Sequence, residues 1–250
     1  MTGRHSTRAL GWLITGAGLA VGAAIWEIAG RIVGAVFVAP LSETLEALTP
    51  AVWRALASSL ALFAAGFALS VAIGVPFGLL LARMRLLRVA LESYIAILNA
   101  TPMAALIPFI LSLMGFDFAP KVLVVFLFAV FPILYNTVEG ARSIRPELIE
   151  VARSFRSTER ALWRDVLLPF VLPFALTGIR QAIGRALVGM VAAEFFLSAS
   201  GIGMTLQSAA QSFDTATVFA AILLVTLLGV ALMELGGALE RRYAAWRNIK

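Results

Sequence analysis

Side chains that could carry out covalent or metal chemistry are scarce in this sequence. Cysteine is absent from the 250 residues, and the one histidine, His5, lies near the N-terminus. These facts argue against thiolate catalysis, disulfide frameworks and histidine-based metal centres. Neither lysine, Lys121 nor Lys250, stands in the G-x-x-x-x-G-K-[ST] pattern that holds nucleotide phosphates. The sequence therefore predicts no metal site, no cofactor and no ATPase site in this chain.

Three charged residues stand alone in the long apolar stretch 166–213, namely Arg180, Arg185 and Glu194. Each would cost roughly 2.5–3.5 kcal/mol if it faced lipid, so each is expected to face a helix bundle or a water-filled path. An arginine there could attract an anionic solute. Pairing with Glu194, a backbone carbonyl or a second copy is the alternative, and we favour it because a path requires weak binding. Arg180 and Glu194 lie within about 40° of one helix face.

Uncharged polar side chains inside apolar runs are the other candidates to line such a path. They are Asn99, Thr101, Tyr135, Asn136 and Gln181. Amide and hydroxyl groups in a membrane need hydrogen-bond partners, which either a solute or a neighbouring helix can supply. Both interpretations stay open from the sequence. Together with Arg180, Arg185 and Glu194, these residues form the predicted path set.

The elements that would position these residues are transmembrane helices. Hydrophobic residues make up 61% of the chain and charged residues 14%, against about 45–50% and about 25% in an ordinary soluble domain. A helix needs roughly 20 apolar residues to cross the hydrocarbon. We predict an all-α integral membrane protein with one transmembrane domain, residues 9–238. Its six spans cover about 9–29, 56–80, 94–115, 121–138, 168–197 and 215–237.

The basic residues orient these spans. With a cytoplasmic N-terminus, most of the 20 basic residues lie on the cytoplasmic side, and only Arg31, Arg54 and Lys121 lie outside. The terminal segments 1–8 and 239–250 are therefore expected in the cytoplasm. The first apolar run is longer than that of a signal peptide, so we interpret it as an uncleaved span. The same asymmetry explains the net charge of +6 without a nucleic-acid partner.

Two local patterns predict how the helices pack and begin. Small residues recur every four positions in the second span, and a similar series occurs in the fifth, so close helix contacts are expected on those faces. The two series are Gly66, Ser70, Gly74 and Gly78, and Gly178, Ala182 and Ala186. Between the first two spans, Pro40 and Ser42 indicate either a short surface helix capped by Ser42 or a simple loop.

The loop between the fourth and fifth spans, residues 139–167, has the pattern of two short amphipathic helices. Pro146 and Glu147 suit the first turn of a helix. Its apolar residues, Leu148, Ile149, Ala152 and Phe155, recur at helical spacing. A second helix follows Ser157 and Thr158, with the apolar face Leu162, Trp163, Val166 and Leu167. Mixed charges favour a protein partner over a lipid surface. We expect both apolar faces to point away from the bilayer and to be covered.

This loop resembles a known motif. Glu150-Val151-Ala152-Arg153-Ser154-Phe155, followed by Val166-Leu167-Leu168-Pro169, is similar to the EAA loop of bacterial ABC importer permeases. Other fragments, in the same order, resemble the nitrate, sulfonate and taurine branch of the binding-protein-dependent permeases, and the similarity covers roughly 26 to 247. These fragments are Trp26-Glu27, Gly66-Phe67, Gly74-Val75-Pro76-Phe77-Gly78-Leu79, Phe131-Pro132-Ile133-Leu134-Tyr135-Asn136-Thr137, Leu176-Thr177-Gly178-Ile179-Arg180, Ala193-Glu194, Ser200-Gly201-Ile202-Gly203 and Asp214-Thr215.

The resemblance implies a function and a set of partners. In that family the loop docks the ATPase subunit, which assigns ATPase coupling here to Glu150, Ala152, Arg153, Phe155, Arg156, Leu168 and Pro169. It also implies a homodimeric permease in the bacterial cytoplasmic (inner) membrane, two cytoplasmic ATPase subunits that hold ATP and Mg²⁺, and a periplasmic or lipid-anchored binding protein. The solute would be small and anionic, such as a sulfonate, taurine or nitrate.

The loop 139–167, which we call the coupling loop, departs from the family pattern at two positions. Val151 replaces the first alanine, and Arg156 stands where the family has glycine. Glycine there takes the left-handed conformation that ends a helix. A left-handed Arg156 would carry about 1 kcal/mol of strain, and a contact with an acidic group of the ATPase could compensate it. We favour a rebuilt turn in which Arg156 stays helical and Ser157 or Thr158 caps the next helix.

Other functional classes fit the sequence less well. An ion-coupled secondary transporter, the main alternative, would be expected to show inverted repeats and several intramembrane acids. We see no convincing repeat, and Glu194 is the one acidic residue deep in a predicted span. An intramembrane hydrolase would need paired aspartates, a Ser/His pair or a histidine-rich metal motif.

Overall fold

The protein is represented by a computed structural model that describes residues 3–197 and 200–244, and these residues are arranged as helices and short connections. The helices are α1 (Gly3–Val33), α2 (Leu41–Glu46), α3 (Pro50–Arg83), α4 (Arg85–Ala100), α5 (Ile107–Met114), α6 (Phe118–Arg142), α7 (Pro146–Ser154), α8 (Glu159–Leu162), α9 (Leu168–Leu197), α10 (Ile202–Gln211) and α11 (Thr215–Ala244). A 3₁₀ turn, Met103–Leu106, precedes α5, and a π-helical turn, Trp163–Leu167, joins α8 to α9.

Five stretches within the described residues are long and apolar enough to cross a membrane, and a sixth crossing is broken. The continuous stretches are Leu13–Val33, Pro50–Arg83, Phe118–Arg142, Glu159–Phe196 and Thr215–Arg242. The prediction of six crossings is confirmed with the broken one included. Residues 3–8 and 239–244 of the predicted tails continue α1 and α11, while residues 1–2 and 245–250 lie outside the described residues.

The predicted third span, 94–115, is not one helix. α4 ends at Ala100, and the chain then bends by 90° into the segment Met103–Met114. Pro102 causes the break, because its ring disfavours a helical conformation in the preceding residue. Thr101 accordingly has φ −69° and ψ 133°. The prediction of a single helix was wrong, and the break places Asn99 and Thr101 at a helix end.

Helix α6 is central, because it packs chiefly against α3 on one side and α9 on the other. The small-residue prediction for α3 is confirmed: a Cβ atom at Gly78 would lie 2.7 Å from the Cβ of Thr137 on α6. On α9, a Cβ atom at Gly178 would lie 2.8 Å from the carbonyl oxygen of Pro132. Backbones therefore approach closely on both sides of α6, which fixes the relative positions of the three helices.

A polar cluster fastens α2 to the end of α1. The Trp26 indole donates to the Ala39 carbonyl at 3.0 Å, and the Glu27 carboxylate accepts from both the backbone N–H and the hydroxyl of Ser42, each at 3.0 Å. The short helix is thus present, but Ser42 as its cap was wrong. Pro40 holds the cap position, and a carboxylate from α1 satisfies the exposed N–H group.

Candidate functional site

A groove runs along the bundle between α4, α6 and α9. The part farther from the coupling loop, which we name the outer cavity, is open and has a volume of about 300 Å³. Its lining is Asn99, Thr101, Met103, Leu127, Phe128, Phe131, Gly184, Arg185 and Val188. The guanidinium of Arg185 donates to the side-chain oxygen of Asn99 at 3.4 Å. Three predicted path residues therefore meet in one cavity.

The part of the groove nearer the coupling loop, the inner cavity, is partly open and has a volume of about 240 Å³. It shares Asn99 and Phe131 with the outer cavity, so the two are neighbours along α4 and α6. Its other lining residues are Leu81, Arg88, Glu92, Ile95, Ala96, Leu134, Tyr135, Val138, Glu139 and Arg142. Tyr135, a predicted path residue, is 66% exposed. Sequence reasoning missed the charged residues of this cavity because it assigned them to the cytoplasmic surface.

Asn136 and Gln181 form a contact between helices. The Asn136 amide donates to the Gln181 side-chain oxygen at 3.2 Å, and also to the Pro132 carbonyl at 2.8 Å. The second bond turns the amide back onto the preceding turn of its own helix, which holds the side chain in the orientation that reaches α9. The pair thus links α6 to α9, as the interhelical alternative predicts.

Arg180 lies apart from the groove and connects α9 to α11. Its guanidinium lies 3.3 Å from a carboxylate oxygen of Glu240, whose other oxygen accepts from the Thr177 hydroxyl at 2.7 Å. The expected type of interaction, structural pairing, is therefore present, but with a partner that the sequence analysis did not consider. In the sequence, Glu240 belongs to the predicted cytoplasmic tail, because it lies about one turn beyond the predicted end of the last span.

Glu194 is 3% exposed and holds the beginning of α10. One of its carboxylate oxygens accepts from the Ser59 hydroxyl and from the Gly203 backbone N–H, both at 2.8 Å. The Ser59 oxygen also accepts from the Ile202 N–H at 2.8 Å. Neither Arg180 nor Arg185 is its partner. A buried carboxylate with hydrogen-bond partners on two other elements fixes α3, α9 and α10 to one another.

The coupling loop exposes one apolar face and buries another. Leu148 and Val151 on α7 and Phe155 directly after it are exposed, and Phe155 reaches 82%. Ile149 instead lies against the bundle, where it lines a small cavity with Leu79, Leu162 and Val171. An ion pair of 2.8 Å between Arg83 and Glu159 fastens α8 to the end of α3. α7 is thus presented outward on a loop that is held in place.

The second apolar face of the loop is covered by the chain itself. Leu162 is only 4% exposed, and Trp163 and Leu167 line the same small cavity beneath α7. The prediction that this face also needs a partner was therefore wrong. Leu168 and Pro169 lie at the start of α9, along a lateral groove of about 750 Å³. The π-helical turn joins α8 to α9 without a break, so α8 continues in the direction of the long helix α9.

Arg156 adopts the left-handed conformation, with φ 53°. The Ser157 N–H donates to the Ala152 carbonyl at 3.1 Å, and the Arg156 N–H to the Arg153 carbonyl at 2.8 Å, which together form a Schellman motif. The prediction of a helical Arg156 was wrong, because the motif satisfies two carbonyls at the end of α7. The capping prediction is confirmed: the Thr158 hydroxyl accepts from the Ala161 N–H at 3.3 Å.

Replacing Arg156 by glycine is expected to strengthen this turn. A left-handed conformation costs a residue with a Cβ atom roughly 1–2 kcal/mol, and the added flexibility of the unfolded chain offsets about 0.4–1 kcal/mol of the gain. Hydrogen exchange at the Ser157 amide should therefore slow in Arg156→Gly and stay near the wild-type rate in Arg156→Ala. Equal loss of ATPase affinity in both variants would instead assign the arginine to a contact with the ATPase.

Several known permeases are similar to this chain in sequence. A probable ABC transporter permease protein of Brucella abortus is 30% identical over 173 residues, covering 69% of each chain. The taurine transport system permease protein TauC of Escherichia coli is 27% identical over 235 residues, covering 89% of this chain and 85% of its own. A putative aliphatic sulfonates transport permease, SsuC of Bacillus subtilis, is 35% identical over 158 residues, or 63% of this chain and 57% of its own.

Solved structures agree in fold. The inward-facing MetNI methionine ABC transporter matches with a TM-score of 0.63 at 19% identity, over 76% of this chain and 94% of its own. Residues 74–245 match the family described as the binding-protein-dependent transport system inner membrane component. With its membrane-crossing helices, the protein belongs to this family of inner-membrane ABC transporter permeases.

Proposed function

We propose that the chain forms, with a second copy, the transmembrane path of an importer for a small anionic solute. A binding protein would deliver the solute, and two separate ATPase subunits carrying ATP and Mg²⁺ would supply the energy. The choice of an anionic solute rests on Arg185, which lies in the outer cavity. It is the one charged side chain among the described residues that line that cavity.

The surroundings of Arg185 suit weak, reversible binding of an anion. Its hydrogen bond to Asn99 is long, at 3.4 Å, and within the described part of the chain it forms no ion pair. A neutral partner leaves the positive charge available, whereas a carboxylate would cancel it. The rest of the lining is largely apolar, with Phe128, Phe131 and Val188, so Arg185 is the group of this cavity that attracts an anion.

Arg180 supplies the contrast within the same helix. It is paired with Glu240, so its charge is largely compensated. We therefore assign Arg185 to the solute path and Arg180 to the packing of α9 on α11. Among the relatives, the names of SsuC and TauC specify aliphatic sulfonates and taurine, both of which carry an anionic sulfonate. These names support a sulfonate or similar anion as the solute.

The coupling to ATP hydrolysis is proposed for the exposed face of α7. Leu148, Val151 and Phe155 form an apolar surface that the chain leaves uncovered, with Glu150 and Arg153 on the same short helix. An apolar centre flanked by charges is typical of protein interfaces. Leu168 and Pro169 would transmit a movement of the loop into α9, since the helix is continuous across the π-helical turn.

The Arg185→Gln variant tests this function in proteoliposomes that contain the permease, its ATPase and its binding protein. ATP-dependent uptake of ethanesulfonate is expected to fall about ten- to 100-fold, because a charge-assisted hydrogen bond worth roughly 1.5–3 kcal/mol is removed. Assembly and basal ATP hydrolysis should stay near wild type. Arg180→Gln is the matched control, and it should lower thermal stability more than uptake per folded complex.

Two outcomes would contradict the proposal. Unchanged uptake in Arg185→Gln would remove the arginine from the solute path. Uptake that follows an ion gradient and proceeds without ATP would assign the chain to the ion-coupled secondary transporters.

A further inference from the structure

We propose that the lateral groove between α3 and α9 is a binding site for an anionic phospholipid of the cytoplasmic leaflet. An acyl chain of the lipid lies along the groove, and the phosphate binds arginines at the end nearer the coupling loop. This site is on a face of the bundle that the proposed solute path does not use, so it does not depend on which solute is carried.

The groove faces away from the solute path. Its lining comes from Val75 and Leu79 on α3 and from the π-helical turn and the first two turns of α9. Leu172 of the groove and Val188 of the outer cavity are 16 positions apart on α9. At about 100° per residue, their side chains point about 160° apart. The groove therefore opens on the opposite side of α9 from the outer cavity, toward the surrounding lipid.

The length of the groove matches one leaflet of the bilayer. From Leu168 to Ala175, the two ends of its lining on α9, the helix rises about 10 Å. One leaflet contributes about 15 Å of hydrocarbon, whereas a packed transmembrane helix would need a groove of about 30 Å. Leu168 and Leu172 are 43% and 42% exposed, so the chain leaves apolar surface uncovered there. A lipid chain of one leaflet is the ligand whose length suits this groove.

The end of the groove nearer the coupling loop carries a net positive charge. Arg164 and Asp165 line it, and the guanidinium of Arg164 donates to the two carboxylate oxygens at 2.7 and 3.4 Å. Arg160 is exposed one helical turn earlier, and within the described residues it forms neither an ion pair nor a hydrogen bond. Two arginines and one aspartate sum to +1, and the neighbouring ion pair of Arg83 and Glu159 adds no net charge.

This arrangement is complementary to a phosphate group. A guanidinium has five N–H donors, and the two bonds to Asp165 leave three of those of Arg164 for phosphate oxygens. The carboxylate also holds the guanidinium in place at the mouth of the groove. Basic residues at the cytoplasmic end of a groove between membrane helices attract anionic headgroups, because that leaflet has a negative surface potential. The apolar wall and the charged end thus match the two parts of one lipid.

The test compares two lipids with the same acyl chains. Dioleoylphosphatidylglycerol has a net negative charge, whereas dioleoylphosphatidylcholine is neutral overall. Each is titrated into the permease–ATPase complex purified in detergent, and native mass spectrometry of the intact complex measures its affinity. Wild type is expected to bind phosphatidylglycerol about five-fold more tightly, which is the factor for one net positive charge near the membrane surface.

Three variants change the net charge in opposite directions. Arg160→Gln and Arg164→Gln each lower it to zero, so the ratio of the two affinities should fall close to one. Asp165→Asn raises it to +2, so the ratio should rise to about 25-fold. Arg145→Gln is the matched control, because Arg145 is an exposed arginine of the same loop that does not line the groove. Its ratio should stay at the wild-type value.

A fourth variant tests the apolar part of the site. Leu172→Trp places a larger side chain in the groove, at a position exposed enough to accept it. Both lipids should bind more weakly by a similar factor, and the ratio of their affinities should stay near five.

The results that would overturn the inference are distinct from failure of the proposed function. Equal affinities of wild type for the two lipids, or the same ratio in Arg164→Gln and Asp165→Asn, would refute the lipid site. Loss of the permease dimer in Leu172→Trp, with both lipid affinities unchanged, would assign the groove to a second copy. Absence of a complex with an ATPase would refute the proposed function, and the same titrations of the permease alone would still test the lipid site.

Discussion

The Gly201→Ala variant is expected to lose most of its folded protein, and with it transport. Gly201 has φ 105° and ψ 173°, a conformation essentially restricted to glycine, and forcing alanine into it costs about 1–3 kcal/mol. A Cβ atom there would also overlap the carboxylate of Glu194. That carboxylate cannot move without breaking its hydrogen bonds to Ser59 and Gly203, and leaving a buried polar group without its partners costs about 1–3 kcal/mol.

Two other glycines separate the conformational cost from the collision. Gly34 and Gly115 also have positive φ, 97° and 77°, but a Cβ atom at either would meet nothing within 4 Å. Gly34→Ala and Gly115→Ala therefore carry the conformational cost alone. Thermal unfolding of the purified, detergent-solubilised variants should rank Gly201→Ala well below both. Equal losses of stability in the three variants would show that Glu194 does not hold the start of α10.

The sequence predicted well those features that depend on local pattern. The crossings follow from runs of apolar residues, and the close contact of α3 with α6 follows from small residues every four positions. Gly78, for example, lies against Thr137. This contact was predictable because it depends on the helix period and on the missing side chain of glycine, and both are properties of the local sequence. The sequence also singles out Arg185 and Asn99, because polar groups are rare in membrane helices, and the two side chains lie together in the outer cavity.

The features that the sequence did not reveal depend on distant partners. Glu194 could be recognised as buried, but its partner Ser59 lies 135 positions away and resembles any other small residue of α3. Glu240 lies beyond the apolar run, so its approach to Arg180 depends on how far α11 continues as a helix. In both cases the stabilising contact joins residues that are far apart in the sequence and meet only in the packed bundle.

The conformation of Arg156 reflects a balance between backbone strain and the hydrogen bonds of the turn. Propensity alone disfavours a left-handed arginine, and Ser157 and Thr158 offer a good start for the following helix. The two hydrogen bonds of the Schellman motif and the cap at Thr158 nevertheless occur together. The two hydrogen bonds at the end of α7 contribute about 0.5–1.5 kcal/mol each, which together offset a strain of about 1 kcal/mol, so the turn keeps its usual form.

The Phe155→Asp variant is expected to detach the ATPase while the membrane helices stay folded. Phe155 is 82% exposed at the end of α7, so aspartate there removes little contact within the chain. If the ATPase covers this ring, the change removes about 1.5–3 kcal/mol of apolar burial and adds the cost of burying a charge. Affinity should fall more than about 100-fold. Co-purification and surface plasmon resonance with the ATPase measure it.

Ala152→Asp and Phe37→Asp complete the experiment. Ala152 is half-buried on the same short helix, so its substitution should also detach the ATPase if α7 is the dock. Phe37 is 75% exposed, but it lies beside α2 at the opposite end of the bundle, and Phe37→Asp should leave ATPase binding unchanged. Because Phe155 and Phe37 are comparably exposed, a difference in ATPase affinity between the two variants reflects the position of the substitution and not the loss of a phenylalanine. Retention of the ATPase by Phe155→Asp and Ala152→Asp would move the dock away from α7.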